Sequence, residues 1–165
     1  MLCSLTILNF AGFFYLASYH QRGNLDAVHH LTARLQKVHP VLLEDVHVLF
    51  LLPCHQHPYY SHLHFDVEMN FLTCEPNFEL SSTHVDEADR FFLDPKSWFL
   101  RLLEGGVAAP SHVIVPQKVG LELRNLFEHV GLSKTRSFFH SHWEMDSRMG
   151  NSVDFYEGVD WINKK

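Results

Sequence analysis

The residues of this chain that could do chemistry are concentrated between Leu51 and His64. This stretch, LLPCHQHPYYSHLH, contains one cysteine, two tyrosines and four histidines. Thiolate and imidazole are ligands that zinc prefers, so Cys54, His57, His62 and His64 form a candidate metal site. Four ligands within eleven residues around a proline leave little room for a tetrahedral cage. A loop with surface or hydrogen-bonded histidines is the competing interpretation.

Cys54 has two further interpretations. It follows an apolar segment that we predict to be a buried strand, and His55 is adjacent, so a cysteine–histidine nucleophile is one candidate. Cys74 also follows a predicted strand. If the two strands are adjacent and aligned, the two sulfurs can come within bonding distance, and a Cys54–Cys74 disulfide is therefore the favoured alternative.

Two other groups of polar residues carry weaker signals. Asp86, Glu87 and Asp89 could bind a divalent cation, although such a cluster is more often the acidic first turn of a helix. His140 and His142 form a second imidazole pair, for which the plain interpretation is a strand end with partly exposed rings. The chain has no glycine-rich phosphate loop and no nucleophile-elbow or zinc-protease motif. Spacing alone therefore identifies no active site.

Composition excludes one class of partner. The net charge is −6 at neutral pH, which argues against a nucleic-acid partner, because such partners favour a basic surface. The 14 histidines outnumber the 13 lysines and arginines. Imidazoles titrate near neutral pH, so the charge of this protein is unusually sensitive to pH.

The first 19 residues carry no charge. As a helix they would extend roughly 28 Å, close to the hydrocarbon thickness of a bilayer. Tyr15 and Tyr19 suit a membrane interface. We predict a transmembrane helix over residues 1–19, with a secretory signal peptide or a buried core helix as the alternatives.

Residues 20–165 are expected to form one α/β domain, a small mixed sheet with flanking helices, preceded by the one transmembrane helix. Apolar periodicity predicts helices over Leu25–Val38, from Asp94 to the glycine pair at 105–106, and over Val119–Val130, the first capped by Asn24. A loop with a short helical turn is expected at 81–92. The predicted strands are Val46–Leu52, Glu68–Thr73, His112–Val115, Arg136–His140 and Ser152–Tyr156.

Five motifs, in this order, resemble one protein family. They are HQRG at 20–23, LPCHxxPYYSxxH at 52–64, FLxCxP at 71–76, DEADRFFLDP at 86–95 and SFFHSH at 137–142. The combination is similar to the C-terminal region of the third GPI mannosyltransferase, the phosphatidylinositol-glycan class B type of the glycosyltransferase C superfamily. Within the second motif the family is expected to have small residues at 56 and 57, so His57 lies outside the pattern.

The resemblance implies an enzyme that transfers mannose from dolichol-phosphate mannose to a GPI precursor lipid, without a cofactor or a metal. It also implies that the catalytic acidic residue lies in an earlier lumenal loop that this chain lacks. We therefore assign no catalytic residue, expect the chain alone to be inactive, and expect residues 1–19 to be the family's last membrane span.

The same resemblance places residues 20–165 in the lumen of the endoplasmic reticulum, an oxidising compartment that supports the Cys54–Cys74 disulfide. It makes His55, Tyr59, Tyr60 and His64 the candidates for a substrate-binding surface or, alternatively, for fixing the shape of their loop. A stand-alone membrane-tethered α/β module that binds a metal or a protein partner is the alternative function.

Overall fold

The computed structural model describes residues 2–78, 84–106, 108–144 and 146–162. Its helices are α1 (Leu2–Ser18), α2 (Gly23–Leu35), α3 (Tyr59–Leu63), α4 (Glu87–Leu93), α5 (Pro95–Glu104), α6 (Gln117–His129) and α7 (Val159–Ile162), with a 3₁₀ helix at Pro40–Asp45. Its strands are β1 (His47–Phe50), β2 (Glu68–Phe71), β3 (His112–Pro116), β4 (Leu132–Phe139) and β5 (Ser152–Gly158).

The five strands form one mixed sheet in the order β2-β1-β3-β5-β4. The strands β1, β2 and β3 are parallel, and β5 runs antiparallel to both β3 and β4. The carboxyl ends of β1, β2, β3 and β4 therefore lie at the same edge of the sheet. The predicted α/β class and the mixed sheet with flanking helices are confirmed.

Alternation along the strands divides the core into two layers, because successive side chains of a strand point to opposite faces. On one face, Val48, Phe50 and Phe155 pack with the buried residues of α2. On the other face, Leu49 and Tyr156 pack with residues of α4, α5 and α6. A sheet covered on both faces explains why β1 and β3 are continuous apolar runs.

Helix α1 lies outside both core layers. Its large apolar side chains are more than half exposed on every side of the helix: Leu5, Ile7, Leu8, Phe10, Phe13, Phe14 and Leu16. Among the residues described, no helix combines the length and the apolarity needed to cross a membrane.

Several predicted boundaries are corrected. Asn24 does not cap α2, because the helix begins at Gly23 and the Asn24 side chain is turned inward to donate to Oε1 of Gln56, 2.7 Å away. The segment Tyr59–Leu63, expected as loop, is the short helix α3. The short helical turn expected at the end of segment 81–92 is the seven-residue helix α4, which extends to Leu93, while positions 81–83 lie outside the described residues. Strand β4 begins at Leu132, four residues before the predicted start.

Candidate functional site at the carboxyl edge of the sheet

The motifs singled out in the sequence meet at the carboxyl edge of the sheet. The segment 51–64 follows β1, Leu72 to Pro76 follow β2, and His140 to Trp143 follow β4. The turn between α1 and α2 reaches the same edge, because the backbone N–H of Gln21 donates to the carbonyl of His140 at 2.7 Å. Ligands of open α/β sheets generally bind at this edge, so it is the candidate functional site.

Cys54 and Cys74 join two of these segments. The structure has a disulfide bond between them, with the Cα atoms 6.2 Å apart. The bond ties the loop after β1 to the loop after β2, which is possible because the parallel strands end side by side. A sulfur held in a disulfide is neither a nucleophile nor a zinc ligand, so both of those alternatives for Cys54 are excluded in this structure.

The two tyrosines of the candidate surface are held in different ways: Tyr59 by packing and Tyr60 by a hydrogen bond. The Tyr59 ring stacks on Phe71 at a centroid distance of 4.6 Å and meets Phe50 edge-on at 5.1 Å. Burial raises the pKa of Tyr59 above its ordinary value. The exposed Tyr60 donates its hydroxyl to the carbonyl of Val67 at 3.1 Å and so ties α3 to the start of β2.

The two histidines of the candidate surface are exposed and share an unusual backbone conformation. His55 and His64 have φ angles of 61° and 56°, in the left-handed region that favours glycine. His64 ends α3, and its backbone N–H donates to the carbonyl of Tyr60. Left-handed residues other than glycine cost of the order of 1 kcal/mol and are concentrated at functional sites and tight turns. Of the four candidate residues, Tyr59 is packed, Tyr60 is exposed but hydrogen-bonded, and the two histidines are exposed with strained backbones.

His57 and His140 lie beneath this surface and are 8% and 4% exposed. Among the described residues, neither ring nitrogen of His57 has a hydrogen-bond partner, and the same is true of Nδ1 of His140. Burial, with the nearby His140 as a smaller cause, lowers the pKa of His57 to about 4. Burial and the nearby His20 also lower the pKa of His140. Both imidazoles are thus neutral at physiological pH.

A small cavity of about 30 Å³ adjoins His140 and is also lined by Gln21, Gln56 and Gly150. The turn packs closely on this region, since a Cβ added to Gly23 would lie only 2.9 Å from the carbonyl oxygen of Phe139. Glycine at this position lets the turn approach the end of β4. The HQRG motif therefore serves to seat α1 and α2 against the carboxyl edge.

The metal candidates do not converge. His62 stacks on His29 with ring centroids 6.0 Å apart, whereas His57 points inward against Phe50. Within the described parts of the chain, no group of three or more His, Cys, Asp or Glu side chains is placed to hold a metal ion.

The acidic cluster performs structural roles. The Asp86 carboxylate accepts the backbone N–H of Asp89 at 2.7 Å and caps α4. Glu87 accepts both the backbone N–H and the hydroxyl of Thr73, at 3.0 and 2.7 Å, and so fixes α4 to the end of β2. Asp89 lies 3.6 Å from Arg148. These are the contacts expected of an acidic first turn.

His55 and His64 are exposed, whereas two other histidines of the motifs are buried. The sequence predicts partly exposed rings for both His140 and His142, but His140 is buried and only His142 is exposed. His57 lies outside the family pattern, yet it occupies the interior of the site. A lone buried residue in an irregular loop produces no periodicity, so no sequence pattern could have identified it.

No family model matches the chain, and no solved structure matches it significantly. Curated proteins do match: the Arabidopsis thaliana Mannosyltransferase APTG1 is 33% identical over 142 residues, which are 86% of this chain and 25% of that protein. The class indicated is therefore the mannosyltransferases.

Other curated relatives indicate which group of mannosyltransferases the chain resembles. GPI alpha-1,2-mannosyltransferase 3 of Mus musculus is 33% identical over 146 residues, 87% of this chain and 26% of that protein. GPI mannosyltransferase 3 of Drosophila melanogaster is 38% identical over 117 residues, 67% of this chain and 21% of that protein. The chain is thus a relative of GPI mannosyltransferase 3 and spans about a quarter of the length of the curated relatives it matches. This confirms the resemblance drawn from the motifs.

Proposed function

We propose that this chain is the lumenal α/β portion of a GPI mannosyltransferase, the enzyme that transfers mannose from dolichol-phosphate mannose to the GPI precursor. The observation that carries the proposal is the similarity to GPI mannosyltransferase 3 proteins over 87% of the chain. The catalytic acidic residue is expected in the part of those proteins that this chain does not match. The chain supports catalysis in the complete enzyme rather than supplying the reacting groups. The comparisons do not favour a stand-alone binding module.

The membrane of the endoplasmic reticulum is the proposed location, with α1 embedded in the bilayer and residues 20–165 in the lumen. An apolar helix exposed on every side needs an apolar environment, and no charged residue precedes His20. The Cys54–Cys74 disulfide is in keeping with an oxidising compartment. Thiol counting on the unreduced, denatured protein tests the bond: only Cys3 should react, and three reactive thiols would contradict it.

We propose that the segment His55–His64 presents two exposed imidazoles to a substrate, on a loop that Tyr59 and Tyr60 hold in place. Tyr59 and Tyr60 fix the loop through Phe50, Phe71 and Val67, while His55 and His64 stay exposed at the edge where α/β ligands bind. An exposed imidazole can donate to or accept from a glycan hydroxyl.

Two substitutions distinguish whether His55 and His64 contact the substrate through their imidazoles or only fix the conformation of the turn. His55→Gly and His64→Gly remove the imidazole but keep the left-handed backbone, so stability should be equal or slightly higher. In the complete enzyme, mannose transfer should fall while the melting temperature holds. Unchanged transfer in both variants would assign these histidines to the turn alone.

Disruption of the gene that encodes this chain tests the proposed function itself. Mass spectrometry of the GPI precursors should show accumulation of a precursor that lacks one mannose, together with loss of GPI-anchored proteins from the cell surface. Re-expression of the complete gene is the control and should restore both. An unchanged precursor profile would contradict the proposal.

A further inference from the structure

An exposed aromatic patch lies where α1 meets the domain. We define the patch by Phe139, His142 and Trp143. Phe139 and Trp143 are 43% and 61% exposed, and His142 is exposed as well. Phe139 and His142 are in contact, with ring centroids 4.6 Å apart. No Asp, Glu, Lys or Arg occurs between Arg136 and Glu144.

The patch is fixed to α1. Tyr15 of α1 stacks on His142 at 5.8 Å, with an interplanar angle of 12°, and meets Trp143 edge-on at 6.1 Å. The ring centroids of His20 and Trp143 are 6.4 Å apart. The loop that carries Trp143 is held in turn by Ser141, whose Oγ accepts the backbone N–H of Trp143 at 3.0 Å. The patch therefore has a defined position at the carboxyl-terminal end of α1.

The apolar surface of α1 indicates what covers the patch. A helix that is apolar on every side is normally enclosed by protein or by lipid, and the large side chains of α1 are open on all sides. The patch continues that surface beyond the last turn of the helix. Trp143 and the adjoining Tyr15 each combine an apolar ring with a polar tip. Trp and Tyr are the side chains enriched where hydrocarbon meets lipid headgroups.

We propose that this patch rests in the headgroup interface of a lipid bilayer, with Trp143 as its main anchor. The inference rests on the proposed membrane location of α1 and adds an orientation to it. The carboxyl edge of the sheet faces the bilayer, because the patch and the turn that carries α1 both lie at this edge. The exposed His55 and His64 then stand beside the membrane surface, where the headgroup of a lipid-linked substrate would be presented.

Tryptophan fluorescence tests the proposal directly, because it reports the surroundings of Trp143. The chain has three tryptophans. Trp98 packs edge-on against Phe91 at 5.2 Å, and Trp161 is buried, so Trp143 is the one with a large exposed surface. The full chain is reconstituted in vesicles of phosphatidylcholine that is brominated either near the headgroup or near the chain end.

The double variant Trp98→Phe, Trp161→Phe isolates Trp143. Its emission should be blue-shifted, protected from aqueous iodide, and quenched more by bromine near the headgroup than by bromine near the chain end. In the matched variant Trp143→Phe, whose altered residue lies on the surface, the lipid-dependent quenching should disappear.

Three outcomes would overturn the proposal. Trp143 quenched by iodide but not by brominated lipid, in a chain that resists carbonate extraction, would refute the interfacial seat and leave the membrane location intact. A chain that carbonate removes from the vesicles would refute the membrane location as well. Shielding of Trp143 from both quenchers, with chemical cross-linking between chains, would show that a second copy covers the patch.

Discussion

Buried histidines lie at opposite edges of the same sheet, and their surroundings differ. At the amino edge, His112 is 2% exposed and its Nδ1 lies 2.8 Å from the hydroxyl of Ser111. At the carboxyl edge, His57 is 8% exposed, and among the described residues both of its ring nitrogens are without a partner. Burial lowers the pKa of each to about 4.

The amino edge is also closed by an ion pair. Nε of Arg34 lies 2.7 Å from Oε1 of Glu157, and Nη2 of Arg34 donates to the carbonyls of Trp161 and Ile162 at the end of α7. At the amino edge, the contacts of Arg34 with Glu157 and of His112 with Ser111 thus form a paired network that stabilises the fold. The carboxyl edge keeps buried polar groups unpaired, together with strained turns and a cavity. Unpaired buried groups and strain persist where function requires them more often than where stability does.

The largest expected effect is at the amino edge. Arg34→Ala leaves the Glu157 carboxylate buried without a cation and should lower the free energy of unfolding by about 4 kcal/mol. Urea denaturation of the detergent-solubilised chain measures it. Arg124→Ala removes an exposed pair with Glu128 and is the matched control, with no measurable change expected. Equal effects of the two variants would show that the amino edge is not a stabilising network.

Removal of the disulfide comes next. The bond joins cysteines 20 residues apart, so Cys54→Ala combined with Cys74→Ala should lower the free energy of unfolding by about 3 kcal/mol through the gain in entropy of the unfolded chain. Cys3→Ala, which alters the exposed free cysteine, should have no effect. If reductant leaves the denaturation midpoint of the wild-type chain unchanged, the bond is absent or contributes nothing.

Acid should destabilise the fold through both histidines. The two imidazoles bind a proton near pH 6.5 in the unfolded chain but only near pH 4 in the folded chain. The free energy of unfolding therefore falls as the pH decreases from about 6.5 to about 4, by about 3 kcal/mol for each histidine. Denaturation midpoints measured from pH 7.5 to 4 give the slope. His57→Leu and His112→Leu should each make the slope shallower. A slope that neither variant changes would show that other groups control it.

The smallest expected changes in the free energy of unfolding are those of the two histidine variants at pH 7.5, and they should have opposite signs. His57→Leu replaces unpaired nitrogens with an apolar side chain beside Phe50 and should raise the free energy of unfolding by about 1 kcal/mol. His112→Leu loses the contact with Ser111 and should lower it by about 1 kcal/mol. A loss of the same size in both variants would mean that the two edges are equally satisfied.

The sequence predicts the layers of this fold better than its site. The run Val46–Leu52, Pro95 after Asp94, and Gly131 at the end of α6 are local signals, and the structure has the strand, the helix start and the left-handed glycine at those places. The order of the strands depends on contacts between segments that are distant in the sequence. Hydrophobic periodicity therefore does not predict that the antiparallel β5 lies between β3 and β4.

The site was predictable only in part. The proximity of Cys54 and Cys74 follows once their strands are neighbours. The burial of His57 and His140 depends instead on the turn at Gly23 and on the loop after β4, which meet only in three dimensions. Asn24 shows the same limit, since its inward hydrogen bond to Gln56 replaced the capping role that its position suggested.

The most direct test of the account uses the absence of any N-x-Ser/Thr acceptor from this sequence. Acceptors are introduced one at a time into the complete protein in cells: Lys37→Asn with His39→Thr and Pro40→Ala at the exposed amino edge, and His142→Asn with Glu144→Thr in the patch beside Tyr15. Pro40 is replaced because a proline directly after the acceptor Thr disfavours glycosylation. If the domain is lumenal and the bilayer covers the patch, the first acceptor will be glycosylated and the second will not. An unmodified acceptor at position 37 in a membrane-inserted chain, or modification at both positions, would contradict the account.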